Sequence, residues 1–218
     1  MFTEPNPHQN QPIAQAGADI DKAKAAMIVL HGRGDSAENI LNLAREFLHD
    51  EDIAYFAPQA ANNTWYPLSF MAAIEDNEPG ITSGLRAINE IKDYLANHGF
   101  DDSSIYLLGF SQGACLASEY VARNPAIYAG LFALSGGLIG PPQTPRDYKG
   151  SLEGTPIFLG CSDIDPHIPV ERVHETADVF EAMGADVEKR IYEGMGHTVN
   201  EDELNYIKKQ LSKVGEKS

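Results

Sequence analysis

An α/β class with a mostly parallel sheet is what this chain predicts, and three observations predict it. Continuous apolar runs of five or six residues recur at 25–30, 53–57, 105–110, 129–134 and 156–160, and 187–192 reads as a last strand. Segments with a helical apolar period separate most of them, and the runs are continuous rather than alternating, as strands covered on both faces require. Strand and helix taking turns imply crossover connections, helices on both faces, and functional loops gathered at the carboxyl ends of the strands. The 218 residues, 43% hydrophobic, suffice for one core, so a single domain over 1–218 is expected.

In chain order, residues 1–20 are rich in Pro, Asn and Gln and read as an irregular arm or a short edge strand. The run at 25–30 ends in His31-Gly-Arg33-Gly-Asp35. Ser36 can cap the helix that follows, whose Ile40, Leu43, Ala44, Phe47 and Leu48 share one face. After the run at 53–57, residues 58–80 hold Trp65, Tyr66, Phe70 and Met71 without a period. So long a loop inside a compact domain is usually functional. A helix with Ile81, Leu85, Ile88 and Leu95 inward ends near His98-Gly99, and one with Val170, Val173, Ala177 and Phe180 aligned stops at Gly184. The last opens at Asn200 with Glu203 three residues on, a capping box, and gathers Lys208, Lys209 and Lys213 toward its C-terminus.

Composition excludes several functions. A formal charge of −16 disfavours nucleic acid and anionic membranes as partners. The longest apolar runs are far too short to span a bilayer, and the N-terminus lacks a basic region followed by an apolar one, so a cytoplasmic protein without integral membrane association is expected. Cys115 and Cys161 form neither a disulfide framework nor a metal-ligand spacing, and no metal is expected.

The chemistry centres on Gly109-Phe-Ser111-Gln-Gly113, where a strand passes through a tight turn into a helix. In such a nucleophile elbow the serine sits at the tip in an unfavourable backbone conformation, and glycines two residues to either side keep strand and helix from colliding. A serine hydroxyl needs a base to take its proton and a third group to hold that base. His197, in the glycine-flanked loop Glu193-Gly-Met-Gly-His197, can swing over the sheet. His8, His49, His98 and His174 read as solvated, and His31 as a loop brace. For the acid, Asp163 and Asp165 both follow the run at 156–160; Asp165, fixed by Pro166, is preferred and Asp163 left to support the loop. Two backbone N–H groups must face the oxyanion, one from Gln112 at the start of the elbow helix and one from Arg33 in the early loop. The Arg33 side chain is left to solvent or to an acidic substrate. The order Ser111, Asp165, His197 is that of α/β-hydrolases.

With His31-Gly-Arg-Gly-Asp35, Gly109-Phe-Ser-Gln-Gly-Ala114, Asp163-Ile-Asp-Pro-His-Ile-Pro169 and Glu193-Gly-Met-Gly-His197 in this order, the chain resembles the phospholipase/carboxylesterase family, which includes the acyl-protein thioesterases. The likeness runs from about Ala25 to the C-terminus and implies an α/β-hydrolase fold without a large cap domain. It implies Ser111 as nucleophile, His197 as base, Asp165 as orienting acid, and oxyanion donors at Arg33 and Gln112. It further suggests an acyl pocket shaped by Trp65, Tyr66, Phe70, Leu138 and Ile139, residues that would serve equally as ordinary core and loop packing. No cofactor is implied, and a homodimer is. The Trp65–Phe70 loop is closer to a bacterial esterase branch, so the expected activity is hydrolysis of short- to medium-chain esters through an acyl-enzyme. A lysophospholipase or acyl thioesterase, a dienelactone-type lactonase or acyltransferase, and a non-catalytic ligand receptor are the alternatives.

Overall fold

The computed structural model describes residues 5–47 and 52–214. Leu48 and His49 lie outside the described residues. Among the described residues seven strands form one sheet: β1 (Ile13–Gly17), β2 (Ala25–Leu30), β3 (Ile53–Pro58), β4 (Ile105–Phe110), β5 (Gly130–Leu134), β6 (Pro156–Ser162) and β7 (Asp186–Tyr192). Their order across the sheet is β1-β3-β2-β4-β5-β6-β7. β1 pairs antiparallel to β3, Ile13 opposite Pro58, and every other pairing is parallel. The arm thus contributes one edge strand.

Among the described residues five α-helices cover the sheet: α1 (Ala37–Phe47), α2 (Gly80–Asn97), α3 (Gln112–Arg123), α4 (Val170–Ala182) and α5 (Glu201–Leu211). In β2, Ala26, Ile28 and Leu30 join the core under α2, α3 and α4, whereas Ala25, Met27 and Val29 join the core under α1 and α5. Side chains alternate between faces along a strand, so a strand buried on both sides shows a continuous apolar run. Every residue of α3 except Arg123 is buried. That helix lies between sheet and α2, with no face left for solvent. Its one acidic residue, Glu119, is satisfied by Arg123 Nε at 2.6 Å, by the Tyr148 hydroxyl and by the Ile139 amide.

The connection from β5 to β6, residues 135–155, carries no helix. Side chains from elsewhere fix it instead. Arg172 Nη1 donates to the carbonyls of Leu138 (2.6 Å) and Gly140 (2.8 Å), and Arg146 Nη1 donates to that of Ile139. α5 opens with the expected capping box: the Asn200 side chain accepts from the Glu203 amide and the Glu203 carboxylate from the Asn200 amide.

Candidate active site

Ser111 stands between β4 and α3 with φ 55° and ψ −121°, a region that L-residues avoid and that a tightly held turn enforces. The glycines explain how. A Cβ on Gly109 would run into the backbone of Gly113 and Ala114, and one on Gly113 into the carbonyls of Leu30 and His31. Strand, helix and the early loop therefore close around the serine at two positions where only glycine fits.

β6 and β7 lie beyond β5 from the serine, β7 at the sheet's edge. With strands about 4.8 Å apart, a histidine after β7 must cross more than 10 Å of sheet edge to reach Ser111. Gly194 and Gly196, both at positive φ (66° and 78°), let the loop turn. Asp163 Oδ1 accepts from the Gly194 amide at 2.8 Å and Ser162 Oγ from the Gly196 amide at 3.0 Å. His197 then lies with Nε2 2.9 Å from Ser111 Oγ and Nδ1 2.7 Å from Asp165 Oδ2. Phe110 and His167 flank its ring, with centroids at 5.0 and 4.7 Å.

Asp165 is the aspartate that meets the imidazole, and Asp163 ties down the loop. Burial alone would raise the Asp165 pKa, but hydrogen bonds from His197 and from the amides of His167 and Ile168 outweigh it and hold the pKa below the usual value. The acid is thus ionised beside the histidine. Its side chain is fully buried while that of His197 is 19% exposed, so the imidazole alone of this pair faces the opening. Cys161 is buried in β6, with Sγ 3.8 Å from Asp165 Oδ2.

A cavity of about 590 Å³ opens over Ser111, bounded by Gly32 and Arg33 on the early loop and by Tyr66 to Phe70 on the next. The backbone amides of Arg33 and Gln112 have no acceptor among the described residues, which leaves two donors unspent beside the serine. Of the five residues expected to shape an acyl pocket, Tyr66 and Phe70 line the cavity; Trp65, Leu138 and Ile139 do not. Trp65 is fully buried behind the wall with its indole N–H on the His31 carbonyl at 2.9 Å. Leu138 and Ile139 are drawn into the core by the arginine contacts just described. Asp35, Phe110, Gln112, Cys115, His167 and Ile168 also line it.

Three supports escape a reading of the sequence. His8, expected to be solvated in the arm, is 6% exposed. Its Nδ1 accepts from the Ala61 amide and its Nε2 donates to the Trp65 carbonyl at 2.9 Å. The Arg33 guanidinium, left to solvent or substrate, instead donates to Thr64 Oγ1 and to the carbonyls of Pro67 and Leu68. The Gln112 side chain accepts from the Trp65 amide (2.9 Å) and donates to the Tyr66 carbonyl (2.8 Å). Nothing local to Asn6-Pro-His8 or to Gln112 signals these contacts, because the partners lie 46 to 57 residues away. His31 braces its loop as expected, with Nε2 accepting from the Ala60 amide at 3.0 Å.

A Ser–His–Asp relay at the carboxyl edge of a mostly parallel sheet, with its serine at a strand-to-helix elbow, defines a serine hydrolase of α/β-hydrolase fold. The sequence profile of the phospholipase/carboxylesterase family matches residues 12–215, and the chain belongs to that family. It is 30% identical to acyl-protein thioesterase 1 of Kluyveromyces lactis over 212 residues, 88% of this chain and 92% of that one. It is 23% identical to the carboxylesterase SOBER1 of Arabidopsis thaliana, over 88% of this chain and 91% of that one. Among solved structures, a phospholipase/carboxylesterase from Dyadobacter fermentans superposes with a TM-score of 0.89 at 39% identity, covering 97% of this chain and 99% of that one. The chain is accordingly a carboxylic ester hydrolase. Among the described residues no helix is long and apolar enough to cross a membrane.

Proposed function

We propose that the protein hydrolyses short- to medium-chain carboxylic esters by two-step acyl transfer, with Ser111 as nucleophile, His197 as general base and acid, and Asp165 as the group that orients it. The observation that carries the reading is the continuous chain of contacts from Asp165 through His197 to Ser111, 2.7 and 2.9 Å, opening on a cavity walled by Pro67, Leu68, Phe70 and Ile168. Ser111 Oγ bonds to the acyl carbon while its proton passes to His197 Nε2. The tetrahedral oxyanion takes hydrogen bonds from the Arg33 and Gln112 amides. As the ester C–O bond breaks, His197 returns the proton to the departing alcohol. Water, deprotonated by His197, then attacks the acyl carbon, and as the bond to Ser111 Oγ breaks His197 returns that proton to the serine and the acid is released. An ionised Asp165 holds Nδ1 protonated, leaving Nε2 free to accept. Donors already facing the oxyanion are worth about 3 kcal/mol each of transition-state stabilisation.

An acyl thioester is the second reading, favoured by the Kluyveromyces relative's name. The acyl half-reaction is common to both; only the leaving group differs. A homodimer and a cytoplasmic location complete the proposal. Two buried, unpaired cysteines suit a reducing compartment, and sedimentation of the purified protein reads the oligomeric state.

The test is a chain-length series of 4-nitrophenyl esters beside the matching thioesters. Maximal kcat/KM is expected at short to medium chains, and Ser111→Ala should lower kcat by roughly 10⁴-fold or more with an unchanged unfolding midpoint. Ester turnover that survives in Ser111→Ala would refute the assignment.

A further inference from the structure

Trp65 is the chain's one tryptophan, and it stands between two histidines. The His8 and His31 rings pack against it with centroids at 5.2 and 5.1 Å, and all three residues are buried. Hydrogen bonds fix each imidazole in a single neutral form. His8 Nε2 carries the hydrogen, because it meets the Trp65 carbonyl at 2.9 Å, and Nδ1 is bare, because it accepts from the Ala61 amide at 3.1 Å. His31 is the reverse: Nδ1 donates to the Gly32 carbonyl at 2.8 Å, and Nε2 accepts from the Ala60 amide at 3.0 Å with Gln59 Nε2 3.4 Å away. Neither ring has a nitrogen to spare. A second proton on either would set N–H against N–H and take the acceptor from a backbone amide.

The two amides are consecutive, and they open the segment that leads into the cavity wall. Two residues on, the Asn63 carbonyl accepts from the Gly34 amide at 2.7 Å, beside Arg33. The Trp65 indole N–H donates to the His31 carbonyl and its amide to the Gln112 side chain. Residues 60–65 thus join the Arg33 loop and the start of α3 to the wall that begins at Tyr66. His8 reaches this segment from the N-terminal arm, which is itself pinned to α2 by the His8 amide on Ser83 Oγ at 2.9 Å. Burial lowers the pKa of both imidazoles below the ordinary 6.5, against the pull of their carbonyl partners. The charges that bear on the pair are Asp35, which favours a proton on His31, and His8, which opposes one there.

We propose that His8 is a positioning residue for the cavity wall, and that with His31 it forms a latch which releases residues 60–65 when either imidazole takes a proton. At neutral pH both rings are uncharged, both amides are accepted, and the wall is held in place for the substrate. In acid the Ala60 or Ala61 amide loses its acceptor and the wall loosens, while Ser111, Asp165 and His197 keep the places that the strand ends give them. The direction follows from the sign of the shifts: with folded values below 6.5, release comes only as pH falls beneath that value.

Trp65 reports the latch without any substrate. Its emission, excited where tyrosine does not absorb, is followed from about pH 8 to about pH 5 in purified wild type, His8→Gln and His8→Ala, beside far-UV circular dichroism and KM for one 4-nitrophenyl ester. Wild-type emission should change with a midpoint below pH 6.5, ahead of any loss of ellipticity. KM should rise about tenfold over the same range, the worth of one or two such hydrogen bonds. Protonation of His197 lowers kcat in acid whatever the latch does, so KM rather than kcat is read there. At pH 8, where the latch is closed, His8→Ala should already raise KM about tenfold with kcat changed less than about threefold. His8→Gln, neutral at every pH and able to reach one of the two partners, should recover part of that loss, and in both variants the emission change should be smaller than in wild type. Wild-type emission that stays flat down to the onset of unfolding, or a transition that His8→Gln leaves unaltered, overturns the proposal. The KM readout rests on the ester-hydrolase reading and the emission does not: an emission transition in a protein that turns over no ester keeps the latch and overturns the ester reading.

Discussion

The two sides of the cavity are built differently. On one side Ser111, Asp165 and His197 each follow a strand within a few residues, and the loops at the ends of adjacent strands hold them: Asp165 Oδ1 accepts from the amides of His167 and Ile168 in its own loop, and Asp163 and Ser162 accept from those of Gly194 and Gly196. On the other, residues 64–70 have no regular structure and are tied by side chains from His8, Arg33, Asn77 and Gln112. Strand geometry therefore positions the groups proposed to react, and a web of long-range hydrogen bonds positions the wall they face. Damage to the first side should appear in kcat. Damage to the second should appear in KM and in the choice of acyl group.

The largest expected effect tests the first side against itself. Asp165→Asn leaves an acceptor for the loop amides but removes the charge that fixes the imidazole tautomer. Loss of kcat of roughly 10³- to 10⁴-fold is expected from that change alone. Asp163→Asn removes only a charge that accepts from the Gly194 amide, and the amide oxygen of Asn can still accept. Its loss should stay below about tenfold. Steady-state kinetics on one ester decides: equal losses would mean that loop placement, rather than the carboxylate beside His197, limits the reaction.

The wall should answer more softly. Arg33→Met deletes the donors to Thr64, Pro67 and Leu68 and leaves the backbone amide in place. An increase in KM of about tenfold with kcat changed less than about threefold is expected, from a loop loosened by the loss of two or three hydrogen bonds worth about 1 kcal/mol each. Arg33→Lys should recover little of it, because an ammonium cannot reproduce a fork aimed at separate carbonyls. A fall in kcat as large as that in Asp165→Asn would erase the distinction between the two sides.

That distinction also governs what could be read beforehand. The strands, the elbow and the loop that carries His197 are local patterns: an apolar run, a glycine at a set spacing, a histidine directly after Gly194-Met-Gly196. Each is legible because the physical demand is met within ten residues. The capping box at Asn200 and Glu203 is legible for the same reason. The role of His8 is not, since its partners Trp65, Ala61 and Ser83 are distant in the chain and a histidine in a Pro- and Asn-rich arm reads as solvated. Nor is the exclusion of Trp65, Leu138 and Ile139 from the cavity. Apolar residues after strands are equally suited to a pocket or to a core, and only the contacts of His31, Arg172 and Arg146 decide between them.

The smallest effect on catalysis, and the sharpest on stability, lies at the base of the His197 loop. Glu203 is fully buried with Oε1 unpartnered among the described residues and set against Gly160. Burial raises its pKa to about 7, against the opposing pull of the Asn200 amide. With a folded value above the unfolded one, the folded chain holds a proton between about pH 4.5 and 7 that the unfolded chain releases. The resulting stability is complete below pH 4.5 and lost as pH rises through 7, an upper bound of about 3 kcal/mol at 1.36 kcal/mol per unit. His8 and His31, whose values burial lowers, act in the opposite sense: they must be neutral to fold and withdraw stability as pH falls below about 6.5. The informative quantity is therefore the difference between wild type and Glu203→Gln, which keeps size and capping geometry and abolishes the titration. Glu203→Gln should gain several degrees of unfolding midpoint relative to wild type between pH 5 and pH 8, at about 2–4 °C per kcal/mol for a chain of this length, with kcat unchanged at pH 7. A difference that is flat with pH would mean that Glu203 is ionised in the folded chain throughout, held by the amides at the start of α5.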